Sequence, residues 1–82
     1  MRVLINNYVV EAEQIQNIDN RILIYGANHS FIIELGIRSE KVAGIVFGVI
    51  KTSLFSADAV SVDDILALRV PNKEDWLVNR IK

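Results

Sequence analysis

Apolar and polar positions change period along this chain, and the change separates strand-like stretches from a helix-like one. Val3, Leu4 and Ile5 precede Asn6 and Asn7, and Tyr8, Val9 and Val10 follow them. Two asparagines between short apolar runs predict a two-residue hairpin, because asparagine tolerates the positive φ that such turns require. From Tyr8 the side chains alternate: Tyr8, Val10 and Ala12 fall on one face and Val9, Glu11 and Glu13 on the other, as in a half-buried strand. Ile15 and Ile18 carry the apolar pattern to a second tight turn at Asp19 and Asn20, before the strand-like run from Arg21 to Tyr25. Gly26 to Ser30 supplies a third connection, into Phe31–Leu35, and Gly36 reads as the end of that strand. Residues 1–36 are therefore expected to form an antiparallel meander.

The period then lengthens. Val42, Ile45, Val46, Val49, Ile50 and Leu54 recur at three- and four-residue spacing, with Ala43 and Phe47 widening the stripe. At 100° per residue the apolar arc is about 200°, roughly twice what an ordinary surface helix needs. The remaining arc holds Gly44 and Gly48 one turn apart, with Lys41, Lys51 and Thr52. Each glycine inside a helix is less favourable than alanine by about 1 kcal/mol, so two on one face point to something that packs closely there. Two candidates exist for it, a second copy of the chain or a C-terminal helix carrying Trp76. Ser39 is placed to cap the helix and Glu40 to meet the positive end of its dipole. The Ile, Val and Phe content of Ala43–Ile50 also fits a buried strand; spacing and length favour a helix from Ser39 to Leu54.

Beyond Ser56, Ala57 and Asp58, the residues Ala59–Val62 read as a short strand that runs into Asp63 and Asp64, and Leu66–Val70 as a further strand stopped by Pro71. Asn72 can cap a helix from Lys73 to Ile81, with Glu74 and Asp75 in its first turn, Arg80 and Lys82 at its end, and Trp76, Leu77 and Ile81 on its apolar face. Pro71 would staple onto Trp76. Val9–Ile18 and Ala59–Leu68 share an order of short strand, acidic step and isoleucine, which reads as one strand, turn, strand device used twice. The expected fold is α+β: an antiparallel sheet of about five or more strands, covered on one face by the apolar helix, with a short C-terminal helix at its edge, all in one domain.

A strand carrying Ala12-Glu13-Gln14-Ile15, Ile18 before a turn, a strand ending in Gly26, a further strand from Phe31, and a helix opened by Ser39-Glu40 together resemble the FlbD-type flagellar proteins over about half the chain. The same layout, followed by Phe55 and then Ala59–Ile65, is similar to the LytTR domain, a DNA-binding module of bacterial regulators. That resemblance implies basic residues between the aromatic residue and the strand. The interval Ser56–Ala59 holds none, so nucleic acid is not the expected partner.

Composition narrows the field further. A chain of 82 residues buries only about 60 to 65% of its unfolded surface. With no cysteine, it must reach stability through its 51% apolar content or by burying surface against a partner. The absence of cysteine fits a reducing compartment, and a cytoplasmic location is expected. Net charge is -1, and the nine basic residues are scattered, which does not announce a nucleic-acid or membrane partner. The N-terminal apolar run is too short for a signal peptide. Val42–Ile50 lies between Lys41 and Lys51, far short of the roughly 20 residues of a bilayer span.

Candidate chemistry is sparse. His29, the one histidine, falls in a turn and reads as a surface residue. Asp63 and Asp64 are adjacent, and on extended chain they point to opposite faces, so they read as capping a turn rather than as paired acids. Glu11 and Glu13 share a strand face that reads as solvated. No catalytic, metal-binding or cofactor-binding residue is expected. The interface candidates are Gly44, Gly48, Phe55 and Trp76, and the expected function is a non-enzymatic interaction module acting as a homo-oligomer; the alternative is a nucleic-acid-binding regulatory domain of the LytTR type, and the second alternative an enzyme or enzyme subunit with a carboxylate-based site.

Overall fold

In the computed structural model, which describes Met1–Lys82, the Asn6–Asn7 pair turns the chain as its chemistry requires. Both residues take positive φ, 52° and 67°, and β1 (Arg2–Ile5) folds back on β2 (Tyr8–Glu11) with Ile5 opposite Tyr8. The meander does not continue as one sheet. Ala12 exchanges hydrogen bonds with Met1, whereas the Glu13 N–H donates to the Tyr25 carbonyl at 2.8 Å. Successive residues of a strand address opposite edges, so the chain changes partner within one peptide step. β3 (Gln14–Ile18) then pairs with β4 (Arg21–Tyr25), and β4 with β5 (Ile32–Ile37). Gly36 lies inside β5 opposite Arg21, so it does not end the strand.

Gly26 is buried at the end of β4, and a side chain there would collide with the Phe31 ring. A single 3-10 turn, Ala27–His29, carries the connection.

The lengthened period yields a helix. α1 (Glu40–Ala57) starts from Ser39, whose hydroxyl accepts the Val42 N–H, and ends at Asp58 in the left-handed conformation, whose N–H returns to the Leu54 carbonyl. It runs a turn past Leu54 because nothing in Phe55-Ser56-Ala57 opposes helix. α1 crosses the inner faces of β3, β4 and β5 and touches β6 (Ala59–Ser61) and α2 (Val62–Arg69). Ala43, Val46 and Ile50 are fully buried, in one core with Ile22, Ile24, Leu35 and Ile37 from β4 and β5, Val3 and Ile5 from β1, and Val62, Ile65 and Leu66 from α2.

Two expectations for the last third are corrected. The segment Val62–Arg69 is a helix, so the strand expected at Leu66–Val70 does not form. Ser61 accepts the Asp64 N–H, and Asp63 and Asp64 occupy the first turn, where carboxylates favour helix. The strand–turn–strand echo therefore fails: the first copy is a corner between sheets and the second a strand feeding a helix. The C-terminal helix expected over Lys73–Ile81 is also absent. After a 3-10 turn at Lys73–Asp75, capped by Asn72, residues Trp76–Arg80 form β7 along β5. β5 offers a long edge, and Trp76 and Val78, two apart, both reach the core while Leu77 points away. Period two wins because a sheet edge is there to pair with.

The fold is α+β, with seven strands in two sheets ordered β2-β1-β6 and β3-β4-β5-β7. All pairings are antiparallel except β1 with β6, which join residues far apart in sequence in parallel, Arg2 opposite Ala59. No helix is long and apolar enough to cross a membrane.

Candidate functional site

The candidate residues separate into two places. At 100° per residue, Gly44, Phe55 and Gly48 fall within an arc of about 40° on α1, on the side away from Ala43, Val46 and Ile50. Nothing lies within 4 Å of the position a Cβ would take at Gly44 or Gly48. The two glycines thus leave a shallow notch in the outer wall of the helix. Phe55 continues the same strip and is 96% exposed, an unusual state for a phenylalanine in a chain with only three of them.

The surroundings of the strip are part of its geometry. Lys51 also projects near it, but its ammonium sits 5.7 Å from the centre of the Phe47 ring. That attraction draws the long side chain toward the Phe47 flank. Ile45, on the other flank, is 46% exposed. Thr52 turns its hydroxyl back onto the Gly48 carbonyl at 3.0 Å, so it offers methyl rather than donor to the outside. The result is an apolar, small-residue strip bounded by Lys41 and Lys51.

Trp76 does not join this strip. It stands on β7, half-buried against the core, at one side of a groove of about 340 Å³ that is also lined by Leu66, Val70, Pro71 and Lys73. Pro71 and Trp76 both line it, with no helix between them to staple. The intramolecular cover considered for the glycines is therefore removed, because the segment carrying Trp76 is a strand elsewhere.

At the far end of that groove is a contact that spacing could not reveal. The Asp63 carboxylate accepts the N–H groups of Asn6 and Asn7 at 2.7 and 2.9 Å. Asp63 does cap a turn, but one at the other end of the chain. The remaining chemical candidates are dispersed. Glu11 lies 3.7 Å from Arg2 and 3.9 Å from the N-terminal ammonium, whereas Glu13 accepts the Asn28 N–H at 2.9 Å. His29 is exposed at positive φ, its ring tilted over Tyr25 at 4.8 Å.

The outer face of the second sheet was missed in the sequence. Leu23, Tyr25, Ile32 and Leu77 lie on it beside the Arg21–Glu34 ion pair of 3.4 Å. The signal was present in Arg21–Tyr25, where Ile22, Leu23 and Ile24 are all buried, which marks a strand with apolar contacts on both sides.

The chain matches no protein-family model, no curated protein and no solved structure.

Proposed function

We infer that this chain is a small non-enzymatic assembly module that works as a homo-oligomer, and that the outer strip of α1 is where a second copy sits. The observation that carries this reading is Phe55, almost wholly in water and in line with two open glycines on the same helix face. Phe55 lies seven residues beyond Gly48, about 10 Å along the helix. In an antiparallel pair of α1 helices each phenylalanine reaches the other's glycine notch, and the contact is satisfied twice by one two-fold operation. Burying a phenylalanine from water contributes about 2 to 3 kcal/mol, and the pair gains it twice. Glycines let the helix axes approach closely enough for the ring to lie flat between them.

Size-exclusion chromatography with light scattering tests this directly. The expected outcome is an oligomer at micromolar concentration; a strict monomer overturns the reading. Gly48→Leu is the matching variant. Its side chain enters open space in the single chain, so folding should persist by circular dichroism while association through this face is lost.

A further inference from the structure

We propose a second self-association surface, independent of the α1 strip: the free edge of β7 pairs antiparallel with β7 of another copy. β7 closes the sheet order on one side and has no strand beyond it. The Ile81 N–H donates to the Ile32 carbonyl at 2.8 Å, and the Asp75 carbonyl accepts the Arg38 N–H at 2.8 Å. From Asp75 to Ile81 the odd-numbered residues therefore face β5, and the N–H and C=O groups of Trp76, Val78 and Arg80 face outward; Lys82, past the strand, shares Ile32 with Ile81. An edge of this kind is ordinarily blunted by proline, an inward charge or a bulge. β7 contains no proline, its register against β5 runs unbroken from Ile37 opposite Trp76 to Ile33 opposite Arg80, and the one charge on its core-facing side, Arg80, is exposed and donates to the Lys82 carbonyl rather than standing in the path of a neighbour.

The charge along this segment selects the occupant. Its leading end carries Glu74 and Asp75 and its trailing end Arg80 and Lys82. Lys73 precedes these acids and Arg38 lies 3.9 Å from Asp75, so Glu74 is the acid of the leading end left to meet a partner, whereas Arg80 donates only to the Lys82 carbonyl and both trailing cations stay unpaired by any side-chain carboxylate. A parallel copy would set like charges together, and an antiparallel copy sets opposite charges together. With the two-fold axis at Val78, the outward amides match without offset, and Trp76 lies across from the partner's Arg80. That pairing gives cation and indole a cross-strand contact on one face of the joined sheet. On the opposite face, Leu77, 63% exposed, comes diagonal to the partner's Leu77. One operation thus matches hydrogen bonds, charge and apolar surface.

The test uses the full chain in a Gly48→Leu background, so that association through α1 is already removed and the two readings fail separately. Amide exchange is followed by NMR from micromolar to millimolar concentration. Trp76, Val78 and Arg80 are expected to gain protection as concentration rises, while Leu77 and Asn79 are protected throughout by β5. Arg80→Pro deletes an outward N–H and an exposed side chain without touching the β5 ladder. It should keep the fold by circular dichroism and lose the concentration dependence. Glu74→Lys and Lys82→Glu should each weaken self-association about tenfold, and an equimolar mixture of the two should restore it, since both ends of the mixed pair are then complementary. Exchange at Trp76, Val78 and Arg80 that ignores concentration overturns the proposal, as does an Arg80→Pro chain that associates like its parent or a mixture that fails to recover.

Discussion

The two faces of α1 are built from the same kind of sequence and live in different surroundings. On the inner face Ala43, Val46 and Ile50 have no exposed surface at all. On the outer face Gly44 and Gly48 have nothing near them, and Phe55 stands in water. An amphipathic helix normally resolves this contrast by placing charge outside. Here only Lys41, Lys51 and Glu40 do so, and the central strip between them is small and apolar. Apolar periodicity thus reports the total apolar demand on a helix, not which part of it the chain's own core will meet.

The contrast can be broken from either side by measuring unfolding at concentrations where the chain is monomeric. Ile50→Ala, on the inner face, should cost about 2 to 5 kcal/mol in denaturant unfolding, because transfer and cavity terms add in a packed core. A loss below about 1 kcal/mol would mean the inner face is loosely packed. Gly48→Ala, on the outer face, should change sign and stabilise by about 0.5 to 1 kcal/mol, since the added methyl meets no atom and helix propensity improves. If it destabilises instead, something in the single chain covers the strip. Phe55→Ser should leave the unfolding free energy within about 0.5 kcal/mol of the parent, the range of an uncovered surface position. The same two outer substitutions, repeated at high concentration, should both lower the association that Phe55 and the notch support.

Where local chemistry decided, the sequence could be read. Asn6 and Asn7 specify a turn by themselves, Ser39 caps by itself, and the spacing of Val42, Val46 and Ile50 needs only a helix to explain it. The strip of Gly44, Gly48 and Phe55 was legible for the same reason, as was its separation from a sheet-facing stripe. Where a distant partner decides, local pattern is ambiguous. Trp76, Val78 and Leu77 fit either period, and the polarity of Glu74, Asp75, Arg80 and Lys82 suits a helix dipole as well as an antiparallel neighbour. The waiting edge of β5 settles that choice, and nothing within residues 73–82 announces it. α2 is a different failure. Ser61 followed by Asp63 and Asp64 is a helix-start signal in its own right, but the apolar Leu66, Leu68 and Val70 beyond it alternate as in a strand. The change of partner between Ala12 and Glu13 has no local signature, because the chain bends at Glu13 without a glycine or proline to mark it.

The clamp of Asp63 on the Asn6–Asn7 turn, together with the parallel join of β1 to β6, sets a timetable for synthesis. β3, β4 and β5 are consecutive and can close as soon as they leave the ribosome, at low cost in loop entropy. β1 emerges ahead of these strands and waits longest for its second neighbour: its parallel partner and the carboxylate that holds its turn arrive only when residues 59–63 emerge. The β1–β2 hairpin must therefore wait with an open edge while residues 12–58 are produced. Pulsed proteolysis of stalled chains should find residues 1–11 cleavable until about the point at which α2 clears the exit tunnel.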